Sequence, residues 1–126
     1  MKSFGHKIWA IADGYIPSKS VGTHPQMTSH DSLCFLNTGE RDAFVRITVY
    51  FVDRPPAGPY TRTVSSARTL HIRFNDFKDP EPVPFDTEYA ALIESDEPVI
   101  VQHTRLDSRQ AENALFSTIA FSSTGD

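Results

Sequence analysis

The sequence contains very little cysteine: Cys34 is the only one in 126 residues. A single thiol cannot form an internal disulfide, which excludes a disulfide-stapled secreted scaffold and suits a reducing cytoplasm. Cys34 lies in the apolar run 32–36, which reads SLCFL. We therefore predict that Cys34 is a small buried side chain and not a reactive thiol.

The sequence also lacks a long apolar run. The segment Ile8–Ala12 has five residues, whereas a membrane-spanning helix needs roughly 20 and a signal-peptide core at least about 7. We therefore expect a cytoplasmic protein that meets a membrane only through a membrane-embedded partner.

Positive charge is not in excess. The chain has 12 Lys and Arg against 16 Asp and Glu, a formal net charge of −4. Proteins that bind DNA by bulk electrostatics are basic, because phosphate neutralisation supplies most of the affinity, so DNA is a disfavoured partner. With 39% hydrophobic and 22% charged residues, the chain has enough apolar surface to fold, and its length fits one domain over residues 1–126.

Motifs of common catalytic and metal sites are absent. The sequence has no Gly-x-Ser-x-Gly, no glycine-rich phosphate loop and no His-Glu-x-x-His, so we predict a non-enzymatic protein with no catalytic residue and no cofactor. His30, His71 and His103 lie in or next to predicted strands and could in principle hold zinc. Because no His-x-His pair occurs, we expect these imidazoles to form hydrogen bonds at a face or an interface, and we predict no metal site.

Alternating apolar and polar residues predict strands along the whole chain. Within Ala43–Asp53, the side chains of Val45, Ile47, Val49 and Phe51 share one face, as a period of two requires. The other predicted strands are Lys7–Ala12, Ser32–Asn37, Tyr60–Val64, Arg68–Phe74, Tyr89–Ser95, Val99–Arg105 and Leu115–Ser122. Eight short strands separated by turn signals predict an all-β fold, a single-domain antiparallel β-sandwich or jelly-roll-like barrel.

Proline-rich and acidic segments are predicted to be loops. Proline removes a backbone donor, so Arg54–Pro59 and Asp79–Pro84 are excluded from helices and central strands. The acidic segment Glu94–Glu97 precedes Pro98 and is assigned to a solvated turn. Asp107–Phe116 has a thin apolar stripe and is predicted to be a loop with at most one helical turn.

Two predicted strands carry pairs of donor-rich side chains. His71 and Arg73 share one face of their strand, and His103 and Arg105 share one face of theirs, because alternate residues point the same way. If the strands are neighbours, the four side chains converge into a site for carboxylates, phosphates or an acidic loop. Pairing of these arginines with the chain's own acids is an equally good interpretation.

Aromatic side chains lie next to a short polar segment. Trp9 and Tyr15 flank the residues Ala12–Gly14, and such rings serve both in cores and at interfaces. For Trp9, which lies in an apolar strand, we favour a core position over contact with a ligand.

Four longer stretches resemble the soluble sensory rhodopsin transducer family. They are Trp9–Pro17, His71–Asp76, Asp79–Thr87 and Val101–Leu115. The last stretch is long and free of low complexity, which makes it the most specific of the four. The resemblance extends from about Trp9 to Phe121.

The resemblance implies a cytoplasmic β-sandwich that forms a homotetramer and receives a signal from a membrane-embedded retinal photoreceptor. It also implies kinship with small-molecule-binding domains, with sugars as proposed ligands, and DNA binding has been suggested for the family. A signalling adaptor is therefore our first hypothesis, a binding module for a small polar ligand the second, and a DNA-binding regulator the third. The segment His103–Gln110 is the predicted centre of binding. The candidate ligand- or partner-binding residues are Trp9, Asp13, Tyr15, His71, Arg73, His103, Arg105, Asp107, Arg109, Gln110 and Asn113.

Overall fold

The computed structural model describes residues 4–21, 24, 27–110 and 114–123. Its elements are the strands β1 (His6–Gly14), β2 (His30–Asn37), β3 (Ala43–Phe51), β4 (Ala57–Val64), β5 (Arg68–Arg73), β6 (Tyr89–Asp107), β7 (Ala114–Ile119) and β8 (Phe121–Ser123), with one 3₁₀ turn at Phe74–Asp76. Every strand pair is antiparallel. The all-β prediction with eight strands is therefore confirmed. Within the described residues, no helix is long and apolar enough to cross a membrane.

One long strand, β6, joins two groups of strands. Its first part, residues 89–95, lies between β1 and β3 in the order β4-β3-β6-β1-β8. Its second part, residues 100–106, lies between β2 and β7, and β5 pairs with the far side of β2. We call the first group sheet A and the second group sheet B.

Two predicted strand boundaries were wrong. Tyr89–Ser95 and Val99–Arg105 are parts of β6, which continues through Pro98. Proline is tolerated there because the cross-strand registers leave residues 96–98 between the two sheets, where no ladder bond needs its missing N–H. The predicted strand Leu115–Ser122 is instead divided at Ala120, whose N–H donates to the Val101 carbonyl over 3.1 Å.

The acidic segment before Pro98 belongs to a strand and not to the predicted turn. Glu94 lies opposite Arg46 of β3. The Asp96 carboxylate accepts a hydrogen bond of 2.8 Å from the Phe44 backbone N–H. The Asp96 carboxylate therefore ties β3 to the point where β6 passes from one sheet to the other.

The loop prediction for Arg54–Pro59 is wrong for its last three residues, which open β4. Among the strands of the described residues, β4 pairs only with β3 and forms an edge of sheet A. An edge strand accommodates Pro59 because its outward N–H position needs no partner strand. The exclusion of these prolines from a central strand is confirmed.

The core lies between the inward faces of the two sheets. The alternation predicted for β3 is confirmed: Val45, Ile47 and Val49 are buried while Phe44 and Arg46 are exposed. A cluster of aromatic rings fills the space beside them. Its ring pairs are Tyr60–Phe77 at 4.7 Å, Phe74–Phe77 at 4.9 Å and Phe74–Tyr89 at 5.1 Å between centroids. This packing fixes Tyr89, whose hydroxyl reaches the polar centre of the molecule.

Candidate functional site

A fully buried carboxylate, Asp31, organises the polar groups of the interior. It has no solvent exposure. Asp31 accepts hydrogen bonds from the Tyr89 hydroxyl and from His103 Nε2, and a bond of 3.0 Å from the Tyr15 backbone N–H. A carboxylate has about four lone-pair sites. A buried charge is tolerable only when it is paired and hydrogen-bonded, and Asp31 meets that condition.

The backbone brings these groups together from four parts of the chain. Asp31 lies at the start of β2, Tyr89 opens β6, His103 comes later in β6, and Tyr15 follows β1. Gly14 allows the approach: a Cβ atom at this position would lie 2.2 Å from the Tyr89 ring. A glycine is therefore required for the Tyr89 hydroxyl to reach Asp31.

Burial and the negative charge of Asp31 both raise the pKa of Tyr89 above its ordinary value. The phenol consequently stays protonated and remains a hydrogen-bond donor at any physiological pH.

Arg105 forms the second layer of this centre. Its Nη2 donates to the Asp13 carbonyl over 2.6 Å and lies 3.8 Å from the Asp31 carboxylate. Its Cζ lies 5.2 Å from the ring centroid of Phe116 in β7, within the range of a cation–π contact. Arg105 is thus mostly enclosed, and it belongs to the interior network as much as to the surface.

The surface beside this network carries two hydrogen-bonded carboxylates, Asp107 and Asp86. Arg109 pairs with Asp107 over 2.5 Å and lies 5.7 Å above the ring of Tyr15. Its hydrogen bonds lower the pKa of Asp107. Near Tyr15, Asp86 accepts hydrogen bonds from the Ser18 N–H over 3.0 Å and from the Tyr15 hydroxyl over 3.4 Å. The hydrogen bonds from Ser18, followed by that from Tyr15, lower the pKa of Asp86.

The Asp31–His103 pair stabilises the fold and is poorly placed for catalysis. His103 has 2% exposure, so a substrate in solution does not reach its ring. The nitrogen that would serve a nucleophile in a Ser-His-Asp arrangement, Nε2, is bound to Asp31. The pair orients β2 against β6.

The structure brings most of the predicted site residues to this region. Around the buried carboxylate and the surface beside it lie Asp13, Tyr15, His103, Arg105, Asp107 and Arg109. Gln110 is exposed at the end of the same segment. Asn113 lies outside the described residues.

His71 and Arg73 do not converge with His103 and Arg105. β2 lies between β5 and β6, so the two predicted strands are not neighbours. His71 is opposite Cys34 and Arg73 is opposite Ser32, whereas His103 is opposite the buried Leu33. Directly opposed residues share a face, so the first pair points outward and the second pair points inward.

Trp9 is a core residue, as its strand position predicted. It is 4% exposed, and its indole N–H donates to the carbonyls of His6 and Val99, each over 3.0 Å. Its polar atom is therefore already bonded within the fold.

The prediction that Cys34 is buried was wrong. It is half-buried on the outward face of β2, although its neighbours Leu33 and Phe35 are fully buried. The continuous apolar run concealed the period of two. Burial raises the pKa of the Cys34 thiol, which keeps it protonated and weakly reactive at neutral pH.

Sequence reasoning missed Asp31 altogether and did not assign Tyr89, Asp86 or Phe116 to the site. The partners of Asp31 are 16, 58 and 72 residues away along the chain, so no local spacing marks it. The only local signal is a lone carboxylate immediately before the predicted strand Ser32–Asn37.

These features define a class of small antiparallel β-proteins in which a buried carboxylate network supports a polar surface. Residues 4–122 match the family model described as Anabaena sensory rhodopsin transducer. The chain therefore belongs to this family, and the resemblance inferred from its motifs is confirmed.

Two solved structures are similar to this chain. One is Anabaena sensory rhodopsin transducer, with 51% identity, 82% of this chain and 100% of that chain covered, and a TM-score of 0.76. The other is Thermotoga maritima 1070, with 34% identity, coverage of 97% and 98%, and a TM-score of 0.85. None of the curated proteins matches the chain.

Proposed function

We propose that this chain is a non-enzymatic signalling adaptor that acts on the cytoplasmic side of a membrane, where it docks onto a sensory-rhodopsin-type receptor. Family membership supports the transducer-like role. The observation that carries the docking surface is the contact between Arg109 and Tyr15, which we call the Tyr15–Arg109 surface.

The interior network supports this choice of surface. The backbone of Tyr15 is bonded to the buried Asp31, and the segment of Arg109 continues directly from β6, which carries His103 and Arg105. A half-buried aromatic ring and an exposed arginine fork held on a fixed base suit a protein interface, because little conformational entropy is lost on binding.

Arg109→Ala is the variant that tests this docking surface. We expect it to bind the sensory rhodopsin of Anabaena, reconstituted in lipid nanodiscs, about tenfold more weakly than the unmodified chain. Its stability should change little, since exposed ion pairs contribute roughly 0–1 kcal/mol. Surface plasmon resonance in darkness and under illumination measures the affinity.

Arg46→Ala is the matched control, because Arg46 is an exposed arginine on the outer face of sheet A. Equal affinities for the two variants would refute the Tyr15–Arg109 surface. Failure of the unmodified chain to bind this receptor would refute the photoreceptor as partner. Arg105→Ala is unsuitable for the test because Arg105 belongs to the interior network.

We further propose that the adaptor works as a homotetramer. All six residues of β7 are exposed, and large apolar side chains are presented by Leu115 and Ile119 in β7 and by Phe121 in β8. Phe121 is 76% exposed. Ile119 and Phe121 line the same groove. Adjacent exposed apolar side chains of this size mark interaction surfaces in soluble proteins, and a second copy of this chain is the occupant we propose.

The substitution Phe121→Glu should reduce the molecular mass of the assembly in solution. We expect the unmodified chain to have four times its 14.1 kDa chain mass in light scattering, because burial of Phe121 favours association and a buried unpaired charge opposes it. Phe44→Glu is the control: Phe44 is 58% exposed but lies beside polar Arg46 and Thr63. A single-chain mass for the unmodified protein, or the tetramer mass for Phe121→Glu, would contradict the proposal.

A further inference from the structure

A groove on the outward face of sheet B has basic groups at its rim and is separate from the Tyr15–Arg109 surface. It has a volume of about 290 Å³ and lies over β2, β5 and the second part of β6. Ligand pockets for drug-sized molecules begin at about 300 Å³, so this groove suits a small ion or a small charged group. Ser32, with 8% exposure, lies on its floor.

The ionisable nitrogen groups of this groove are all basic side chains. His30, His71 and Arg73 stand at its rim, and none of the described residues that line it carries a carboxylate. This is unusual in a chain with 16 acidic residues against 12 Lys and Arg. The groove therefore offers hydrogen-bond donors and positive charge together.

The hydroxyl groups on the floor of the groove already donate hydrogen bonds within the sheet. The Ser32 hydroxyl donates to the Thr104 carbonyl over 3.2 Å, and the Thr104 hydroxyl donates to Ser117 Oγ over 3.0 Å. A bound group would therefore depend on donors other than these two hydroxyl groups.

Arg73 lies between the two imidazoles. It is two residues along β5 from His71, about 7 Å by strand geometry, and it faces Ser32, from which His30 is two residues away. The diagonal from Arg73 to His30 is about 7–8 Å. A tetrahedral anion above Arg73 can reach both rings. The guanidinium has five N–H donors, so it can bind an anion and keep another partner.

The tautomer of His30 couples anion binding in the groove to protonation of this ring. His30 Nδ1 lies 2.8 Å from the Thr28 carbonyl, and because a carbonyl only accepts, Nδ1 carries the hydrogen. Burial, followed by the charge of Arg73, lowers the pKa of His30, while the Thr28 carbonyl and the charge of Asp31 oppose that shift. Nε2 becomes a donor only when the ring is protonated, which an anion beside it would favour.

We propose that this groove binds a small phosphate-type oxyanion between the guanidinium of Arg73 and the imidazoles of His30 and His71. Phosphate fits better than a carboxylate because three donors approach from different directions, and a carboxylate is satisfied by the arginine fork alone. The site goes beyond the adaptor function, and its failure would leave the Tyr15–Arg109 surface untouched.

Titration of the full chain with inorganic phosphate, followed through the histidine Hε1 resonances, tests the site. We expect the His30 and His71 signals to move and saturate, and the His6 signal on β1 to stay in place. Equal movement of the His6 signal, or the same response to sodium chloride at matched ionic strength, would overturn the proposal.

Arg73→Gln should bind inorganic phosphate at least about tenfold more weakly, the loss expected for a hydrogen bond to a charged group. Arg46→Gln is the control and should bind as the unmodified chain does. If Arg73→Gln fails to fold by circular dichroism, His71→Gln replaces it with the same expectation. Unchanged affinity in the folded variant would overturn the site.

Two further probes define the ligand class. Binding of inorganic phosphate alone indicates the free ion, and binding of phenyl phosphate as well indicates a phosphorylated small molecule; both outcomes support the proposal. Acetate binding as tight as phosphate binding would overturn it.

Discussion

Asp31→Asn is expected to lose about 3–5 kcal/mol of the free energy of unfolding, the loss typical of breaking a buried charged pair from one side. The amide keeps the shape of the carboxylate but directs N–H groups toward a site already surrounded by donors. Tyr89 and His103 would then be buried with a missing acceptor, and Arg105 would lose the nearby charge. The melting temperature should fall by about 10 °C or more.

Urea unfolding followed by circular dichroism measures this effect. Asp53→Asn is the matched control, because the Asp53 carboxylate is 77% exposed and pairs only with Arg54 at 3.5 Å. We expect that control to change stability by less than about 1 kcal/mol. A loss of similar size in both variants would show that burial of Asp31 contributes nothing particular to stability.

A double-mutant cycle with Tyr89→Phe would separate the Asp31–Tyr89 bond from the rest of the network. Phenylalanine keeps the ring in the aromatic cluster and removes only the hydroxyl. Residues that share one hydrogen-bond network couple by about 0.5–3 kcal/mol. The sum of the two single losses should therefore exceed the loss in the double variant.

Gly14→Ala should destabilise the chain by about 1–3 kcal/mol, the range for inserting atoms into a packed interior. The added methyl group would lie 2.2–2.7 Å from three atoms of the Tyr89 ring. Because Tyr89 is held between Phe74 and Asp31, the ring cannot yield without breaking a contact. The methyl group at position 14 would therefore disturb the hydrogen bond between Tyr89 and the buried Asp31 carboxylate.

Thermal melting and the His103 Hε1 resonance together check this prediction. A displaced Tyr89 hydroxyl changes the hydrogen bonding of Asp31, and the change is felt at His103 on the opposite side of the carboxylate. In a Tyr89→Ala background the added methyl group meets no ring, so the further loss from Gly14→Ala should be much smaller. An unchanged melting temperature and an unchanged His103 signal would contradict the role given to Gly14.

Asp31→Asn and Gly14→Ala both alter the buried network that lies beneath the proposed docking surface. The Tyr15 backbone is bonded to Asp31, and Tyr15 contacts Arg109 through its ring. Asp31→Asn is therefore expected to weaken receptor binding as well as stability, whereas Arg109→Ala affects binding alone. The difference between the two variants distinguishes support of the surface from direct contact.

The sequence by itself determined the fold class and the family. Alternation in Ala43–Phe51 placed the aliphatic side chains on one face, since the side-chain period of a strand is two. The motifs from Trp9 onward indicated the family, because such stretches are specific regardless of how they pack. The same-face relations of His71 with Arg73 and of His103 with Arg105 were also predictable, because each pair lies on one strand.

Only the tertiary structure decided which of these pairs meet. β2 lies between β5 and β6, and this order, set by long-range pairing, sends His71 to the outer groove and His103 to the core. In the sequence, Pro98 indicates the end of a strand. In the structure, β6 continues through Pro98 because the strand changes sheets there. Asp31 had no local signature, since its partners come from distant segments. The buried carboxylate that holds the site together is therefore a property of the fold and not of any single stretch of sequence.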